Sequence, residues 1–474
     1  MELTKTNFIQ YLNCPKSLWL LKHKPNVYPK GEFSDYAQKL TKEGYEVESY
    51  VKQFLKGQPD AERYSFQSVF LTPDGMQARA DVVRTNEDGT VNLYEVKSST
   101  SVKDKNPHNQ LKDAAFQTIA AVENGHRVDR VFIVHLNKNY VRSGEIELEK
   151  LLTFSDETDR VRDLMEETRN EIAAALELLS HEHIDESSCS CLKLGKNNHC
   201  DSFAYFNPSI PSPSIYNLPR LHKNKITSFS NEGRYDLHEI GLEEVSDNQG
   251  IVLKAAQSGK PIVNVDEIAA FYEQVEYPVY FIDYETYSSA IPIVDGLKPQ
   301  APLPFQFSLH IKRSPDDTQL EHHEYLAEKP QLPLALIEEM ERRIGSDGSL
   351  ISWHKSFEIS RGREMSEIYP DKATFLNGIA NRMLDLEDIF KKGYVDIRFG
   401  GSTSIKKVLP VLAPDLTYEG MSVSGGTEAM DAWMKFVELP SGKERNQLRE
   451  DMLEYCKLDT YAMVRIFEEM ERLQ

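Results

Sequence analysis

Three consecutive stretches decide how this chain is read: Arg79-Ala80-Asp81-Val82-Val83-Arg84-Thr85, then Asn86-Glu87-Asp88-Gly89-Thr90, then Val91-Asn92-Leu93-Tyr94-Glu95-Val96-Lys97-Ser98. Apolar and β-branched residues on both sides of an Asp-Gly turn mark two antiparallel strands. Along the second strand the period of two puts Glu95 and Lys97 on one face. A loop centred on Asp88 pairs residues equidistant from it, which sets Asp81 opposite Glu95. Two acids so placed repel if buried alone, and a hard divalent cation, Mg²⁺ or Mn²⁺, relieves that through their oxygens. Lys97 then has the charge to orient an attacking water or to stabilise a scissile phosphate. The plain alternative is a surface hairpin with a cross-strand Glu and Lys pair.

Outward from this hairpin, apolar spacings of three and four predict helices over residues 6–23 and 33–55, and period two predicts a strand over 66–71. A helix over 113–124, a strand over 130–135 and a long helix over 156–179 give the alternation of an α/β core. Residues 1–200 therefore read as one domain. Pro208, Pro211, Pro213 and Pro219 in Ser-rich sequence open a connecting module over 201–272. From 273 to 474 strands return, at 279–282, 305–312, 320–326 and 350–353, with a helix over 333–344 and a final helix over 444–473. That order predicts a mixed sheet, and the whole chain an α/β multidomain protein.

The 474 residues are too many for one ordinary core. No apolar run has the length of a bilayer span and the start lacks a signal-peptide core, so the expected address is the cytoplasm, with no membrane partner. A net charge of −20 excludes a surface that grips nucleic acid everywhere. The first 30 residues invert that charge: Lys5, Lys16, Lys22, Lys24 and Lys30 face only Glu2, with Tyr11, Trp19 and Tyr28 interleaved as base-stacking candidates or as a structural aromatic core. Five cysteines are too few for a disulfide framework. Cys14, with Cys189, Cys191 and Cys200 after the long helix, gives a metal-type spacing for which Zn²⁺ with four thiolates is a fair reading and unliganded thiols the alternative. Cys456 reads as a core residue.

A second acid set begins at Phe281-Ile282-Asp283-Tyr284-Glu285-Thr286, where Asp283 and Glu285 share one face of an apolar strand. Burying both costs several kcal/mol unless cations neutralise them. At the other end of the domain, Tyr455-Cys456-Lys457-Leu458-Asp459 separates Tyr455 from Asp459 by one helical turn. A phenol and a carboxylate then meet, the components of two-metal phosphodiester hydrolysis. Between them, His354-Lys355-Ser356-Phe357-Glu358 follows a strand; His354 has a structural reading.

The Asp81 and Glu95-Val96-Lys97 pattern resembles the RecB-like branch of the PD-(D/E)XK nucleases. The resemblance implies that Asp81 and Glu95 hold the metal, that Lys97 is catalytic, that Gln117 is that branch's glutamine, and that Glu43 is its N-terminal helix acid; Ala121 stands where a tyrosine is often found. The four cysteines are similar in placement to the iron-sulfur staple of RecB-like nucleases, which implies a [4Fe-4S] cluster with Zn²⁺ as the alternative. Asp283, Glu285, Glu358, Asp459 and Tyr455 resemble the DnaQ-like 3′–5′ exonucleases of the RNase H-like fold, tyrosine (DEDDy) subclass. Glu358 departs from that pattern, which usually has an Asp, and Asp385 is similar to a later strand-end Asp of the family. The whole chain resembles a prokaryotic family that joins these two nuclease types.

The resemblance implies a Mg²⁺- or Mn²⁺-dependent nuclease with two sites, the second a 3′–5′ exonuclease, acting on nucleic acid with DNA favoured over RNA. The competing expectation is a nucleic-acid-binding scaffold in which one nuclease-like domain, the second before the first, is inactive. A redox or zinc-dependent interaction module is a third, and it leaves both acid sets unexplained.

Overall fold

The computed structural model describes residues 2–29, 35–105 and 108–474. Lys30 and the expected helix start at Phe33 lie outside these residues. The chain forms an α/β protein of two compact units, one of residues 1–210 and 289–301, the other of 211–288 and 302–474.

In the first unit, β1 (Leu3–Thr4) leads into α1 (Lys5–Asn13), α2 (Pro15–His23) and α3 (Asp35–Lys56). The single helix expected over 6–23 is two. Pro15 takes the first position of α2, where its missing N–H costs nothing, and the extended residue before it, Cys14, breaks the run. Strands β2 (Tyr64–Leu71), β3 (Met76–Thr85) and β4 (Val91–Val96) form an antiparallel meander. Helix α4 (Gln110–Glu123) then crosses to β5 (Val128–Leu136), parallel to β4, and β6 (Leu152–Asp156) closes the sheet antiparallel to β5. The β3–β4 register pairs Val82 with Tyr94 and Thr85 with Val91, as a loop centred on Asp88 requires. One face of the sheet packs Ala80, Leu93 and Ile133 with Phe116 of α4 and Ile172 of the helix Thr158–Ser180. The other packs Val82 and Tyr94 with Val47 and Val51 of α3, together with Ala290 and Ile291.

The second unit takes in most of the module expected to stand apart. Its residues 211–272 bury Ile226, Phe229 and Leu253 with Val395, and β7 (Ile262–Val263) pairs antiparallel with Tyr394–Val395. The main sheet has five strands in the order β10-β9-β8-β11-β12: β8 (Val279–Tyr287), β9 (Leu303–Lys312) and β10 (Glu321–Leu326) run antiparallel, while β11 (Ser349–Ser352) and β12 (Met383–Asp385) join β8 in parallel. This is the mixed sheet that the strand and helix order predicts. Odd residues of β8, Val279 and Phe281, pack with Met463 and Phe467 of the helix Lys443–Glu471; even residues, Tyr280 and Ile282, pack with Leu336 and Ile337 of the helix Leu334–Arg343. Asp283 and Glu285 continue the odd row, so both emerge on the side of the C-terminal helix. No helix among the described residues is long and apolar enough to cross a membrane.

Candidate functional site

At the end of β4 in the first unit, Glu95 is 2% exposed and gathers three donors. Lys5 Nζ lies 2.6 Å and Lys97 Nζ 2.7 Å from its Oε1, while Gln117 donates to Oε2. Lys97 also reaches Asp113 Oδ2 at 2.5 Å. Asp81 lies one residue beyond the last β3–β4 pair and accepts from the Val96 N–H at 2.8 Å. The structure thus brings together Asp81, Glu95, Lys97 and Gln117, and adds Lys5 and Asp113, which sequence reasoning missed. Asp113 had a signal: it lies one helical turn before Gln117 on α4. In sequence Lys5 reads only as part of a basic run. Glu43 stands differently. It is buried on α3 with its counter-charge, Lys39 Nζ, at 3.2 Å.

Charge in this site is compensated from within. Burial would raise the Glu95 carboxyl, but Lys5 and Lys97 hold it down, to about 2. Asp81, buried and beside Glu95, is pushed up to about 7. Burial works against the Lys97 ammonium, yet Glu95 and Asp113 raise it above the usual lysine range. An adjoining cleft is lined by Lys5, Lys97, Ser99, Asp113 and Gln300, and Gln300 donates to the Ser98 carbonyl at 3.1 Å.

Cys14, Cys189, Cys191 and Cys200 come together so that their sulfurs lie within 4.8 Å of one another. Among the described residues no disulfide forms. Trp19, Leu20 and Phe206 wall the group in, and Asn207 Nδ2 donates to Cys189 Sγ at 3.4 Å. Hydrogen bonds from its neighbours push the Cys189 thiol down, while contact with Cys14 and Cys189 pushes Cys191 and Cys200 up. Four thiols this close do not ionise together without a cation, and the group could hold a metal. Trp19 is fully buried here, with Nε1 donating to the His181 carbonyl, so it is a wall residue and not a base-stacking surface. Lys24 pairs with Glu186 at 2.7 Å and Lys16 with Asp185 at 3.4 Å. The basic run is largely matched by acids of its own unit.

The second unit holds a cavity of about 320 Å³ lined by Asp283, Glu285, Glu358, Lys406, Tyr455 and Asp459, among others. Five residues singled out from sequence positions 283–459 meet there. Ladder pairing of Asp283 with Ser308 and Glu285 with Gln306 fixes their strand. Gln306 donates to the Met452 carbonyl at 2.9 Å, and the Ser308 and Thr460 hydroxyls meet at 2.7 Å, which pins the C-terminal helix against β9. Glu358, in the first turn of the helix Ser356–Ile368, is 3% exposed, and its Oε2 has no hydrogen-bond partner. Asp385 has another task. It accepts from the His354 N–H at 2.9 Å and the Lys355 N–H at 3.2 Å, holding the turn, with His354 at φ 64°, that launches this helix.

Three residues around this cavity extend or alter the expected set. Tyr418, which no local pattern marked, donates to Asp459 Oδ1 at 2.6 Å, and Tyr455 interacts with the same carboxyl. Lys406 Nζ sits 5.4 Å from the Tyr418 ring and 5.6 Å from the Tyr455 ring, and donates to the Ser424 carbonyl. Among the described lining residues it is the one cation. Cys456, expected in the apolar core, is fully buried but places Sγ 3.9 Å from Asp283 Oδ2. Burial pushes the Asp459 carboxyl up to about 6 despite its two tyrosines. Burial and Asp459 push Glu285 up to about 8, and burial puts Glu358 at about 8. Asp283, buried beside Asp459 and Glu285, is raised well above the carboxylate range. Without cations this cavity cannot be fully ionised at neutral pH.

Residues 280–404 match a family described as a domain of unknown function (DUF2779), a segment that includes Asp283, Glu285 and Glu358 and stops before Tyr455 and Asp459. The chain is similar to "Uncharacterized protein MG366" of Mycoplasma genitalium, 30% identical over 210 residues, covering 40% of this chain and 31% of that protein. It is also similar to the MG366 homolog of Mycoplasma pneumoniae, 24% identical over 243 residues, 45% of this chain and 35% of that one. A third relative is "Uncharacterized protein UU173" of Ureaplasma parvum, 30% identical over 211 residues, with 40% and 30% covered. The chain spans about a third of the length of these curated relatives.

Proposed function

We propose that this protein is a Mg²⁺- or Mn²⁺-dependent nuclease with two sites, the second a 3′–5′ exonuclease, with DNA the favoured substrate. One observation carries the reading: Asp283, Glu285, Glu358 and Asp459 converge with Tyr455 on one cavity from three separate elements. Buried carboxylates held above their usual range, one with an oxygen that accepts nothing, are costly unless divalent cations complete them. Bound there, such ions would supply charge for the attacking and leaving oxygens of a phosphodiester. The chain's own groups do the rest. Tyr455 positions the attacking water, Tyr418 holds Asp459 in place, and Lys406 offers positive charge to the phosphate. The order β10-β9-β8-β11-β12, three antiparallel strands followed by two parallel ones, supports an RNase H-like reading of this unit. The order α3, β2-β3-β4 meander, α4, β5, with Asp81, Glu95 and Lys97 at one strand end, supports a PD-(D/E)XK reading of the first.

The test is a product ladder. Labelled single-stranded and duplex DNA and RNA are incubated with Mg²⁺ or Mn²⁺ and the whole protein; stepwise 3′ shortening abolished by Asp283→Ala is the expected result. Absence of cation-dependent cleavage from every substrate would leave the binding-scaffold reading. That reading draws on the second site, where Glu358 stands in place of the Asp usual in the resembled family.

For the cysteines two readings each have support. Placement around the first unit favours a [4Fe-4S] cluster. The spacing favours one tetrahedral Zn²⁺, since Zn–S bonds of about 2.3 Å put the sulfurs roughly 3.8 Å apart, whereas four thiolates on four irons stand wider. Iron and sulfide analysis of anaerobically purified protein separates them.

A further inference from the structure

We propose that Cys456 is a ligand of the second site, making the position between Asp283, Glu285 and Cys456 a site for a thiophilic divalent cation of the Zn²⁺ or Co²⁺ class. One Asp283 oxygen, one Glu285 oxygen and Cys456 Sγ lie within 4.8 Å of one another. Two ligands of one tetrahedral ion, with M–O of about 2.1 Å and M–S of about 2.3 Å, stand roughly 3.6 Å apart. The observed 3.9 Å between Cys456 Sγ and Asp283 Oδ2 is close to that. Backbone geometry produces the approach: Cys456 lies on the C-terminal helix between Tyr455 and Asp459, and both that helix and the odd row of β8 are pinned through Ser308 and Thr460. A thiol placed only for packing would be expected among apolar atoms, yet this one meets carboxylates. The buried Glu358 oxygen on the same cavity has no hydrogen-bond partner, which supports the metal-centre reading of the cavity on which this site rests.

Ligand chemistry sets the cation. All-oxygen sites suit Mg²⁺, and a sulfur ligand shifts preference towards Zn²⁺ and Co²⁺ and away from Mg²⁺. The second unit would then carry one thiophilic ion at this position, with Mg²⁺ or Mn²⁺ confined to the all-oxygen side formed with Glu358 and Asp459. The inference rests on reading the cavity as a metal centre, and it does not require hydrolysis.

The experiment titrates Co²⁺ into the whole protein with its four-cysteine site filled as purified, following the near-ultraviolet thiolate-to-cobalt band. One equivalent should develop the band and excess Mg²⁺ should not remove it. Cys456→Ser should abolish the band and weaken Co²⁺ binding at least tenfold, since losing even an outer-shell partner of a metal ligand typically costs about 10- to 100-fold. Asp283→Asn, which keeps the thiol, should weaken the same band's Co²⁺ dependence by a similar factor. No band in the wild type, or a band unchanged in either variant, overturns the proposal. If Cys456→Ser does not fold, Asp283→Asn alone decides. A cobalt band in a protein that cleaves nothing would retain this inference and reject the nuclease reading.

Discussion

Glu95 and Glu285 are both acids on strands that bury nearly everything else, 2% and 6% exposed, and their surroundings are opposite. Glu95 accepts from Lys5, Lys97 and Gln117, so the first site compensates its charge with the chain's own cations. Glu285 shares its cavity with three more carboxyl groups and two phenols nearby, against Lys406 as the one cation among the described lining residues. The carboxyls follow suit: Glu95 is held down to about 2, Glu285 pushed up to about 8. A site that neutralises itself can keep its shape without an ion. A site that does not must take up protons or bind a cation. The comparison therefore predicts that removing divalent cations leaves the first site's geometry largely in place and relaxes the second.

The sharpest way to break this contrast is Asp283→Ala. It removes an acid at the centre of the second cavity and should reduce 3′ shortening by on the order of 10³-fold or more, without changing cleavage by the first unit. Parallel loss of both activities would mean that the two sites are not separate. Lys97→Ala comes next, with a fall in first-site cleavage of roughly 10²- to 10³-fold at unchanged fold. Because Lys97 also holds Asp113, circular dichroism must accompany the kinetics. Tyr455→Phe should cost about 10²-fold in kcat, the low end for a positioned proton-transfer group. Tyr418→Phe should cost less, since that hydroxyl holds Asp459 without being placed on the water. Equal losses would put the second tyrosine in the reaction itself. Glu358→Asp restores the acid usual in the resembled family but shortens its reach; measurable exonuclease activity there and its loss in Glu358→Ala would fix Glu358 as a ligand, whereas full activity of Glu358→Ala would remove it from the set.

The smallest expected effect is thermodynamic. In the unfolded chain these carboxyls titrate near about 4. In the folded, cation-free protein Asp459 is raised to about 6 and Glu285 and Glu358 to about 8. The folded state then binds more protons than the unfolded one between about pH 4 and 8, so its stability falls as pH rises through that window. A divalent cation opposes this by favouring the ionised carboxylates. At about 100 times Kd it should add about 2.7 kcal/mol, or roughly 5–10 °C in Tm for a unit of this size, and more at pH 8 than at pH 5. Calorimetry with and without Mn²⁺ at both pH values checks it, and an equal shift at the two values would count against a charge-frustrated second site.

Sequence by itself determined what depends on local periodicity. The Asp88-centred hairpin register, the same-face placement of Asp283 with Glu285, the one-turn spacing of Tyr455 and Asp459, and the α/β alternation all follow from periods of 2 and 3.6, which any chain of this composition must obey. The tertiary structure decided everything that depends on which distant surfaces meet. Lys5 belongs to a basic run in sequence and becomes the counter-ion of Glu95 only because β1 pairs with β3 and brings α1 to the sheet. Residues 211–272 carry no signal of their address, and packing assigns them to the second unit through Val395. Tyr418 has no patterned neighbour at all, and it enters the site through a loop whose path sequence does not fix. Cys456 was legible as buried and illegible as a partner of Asp283, because burial is encoded along a helix while the identity of the opposing strand is not.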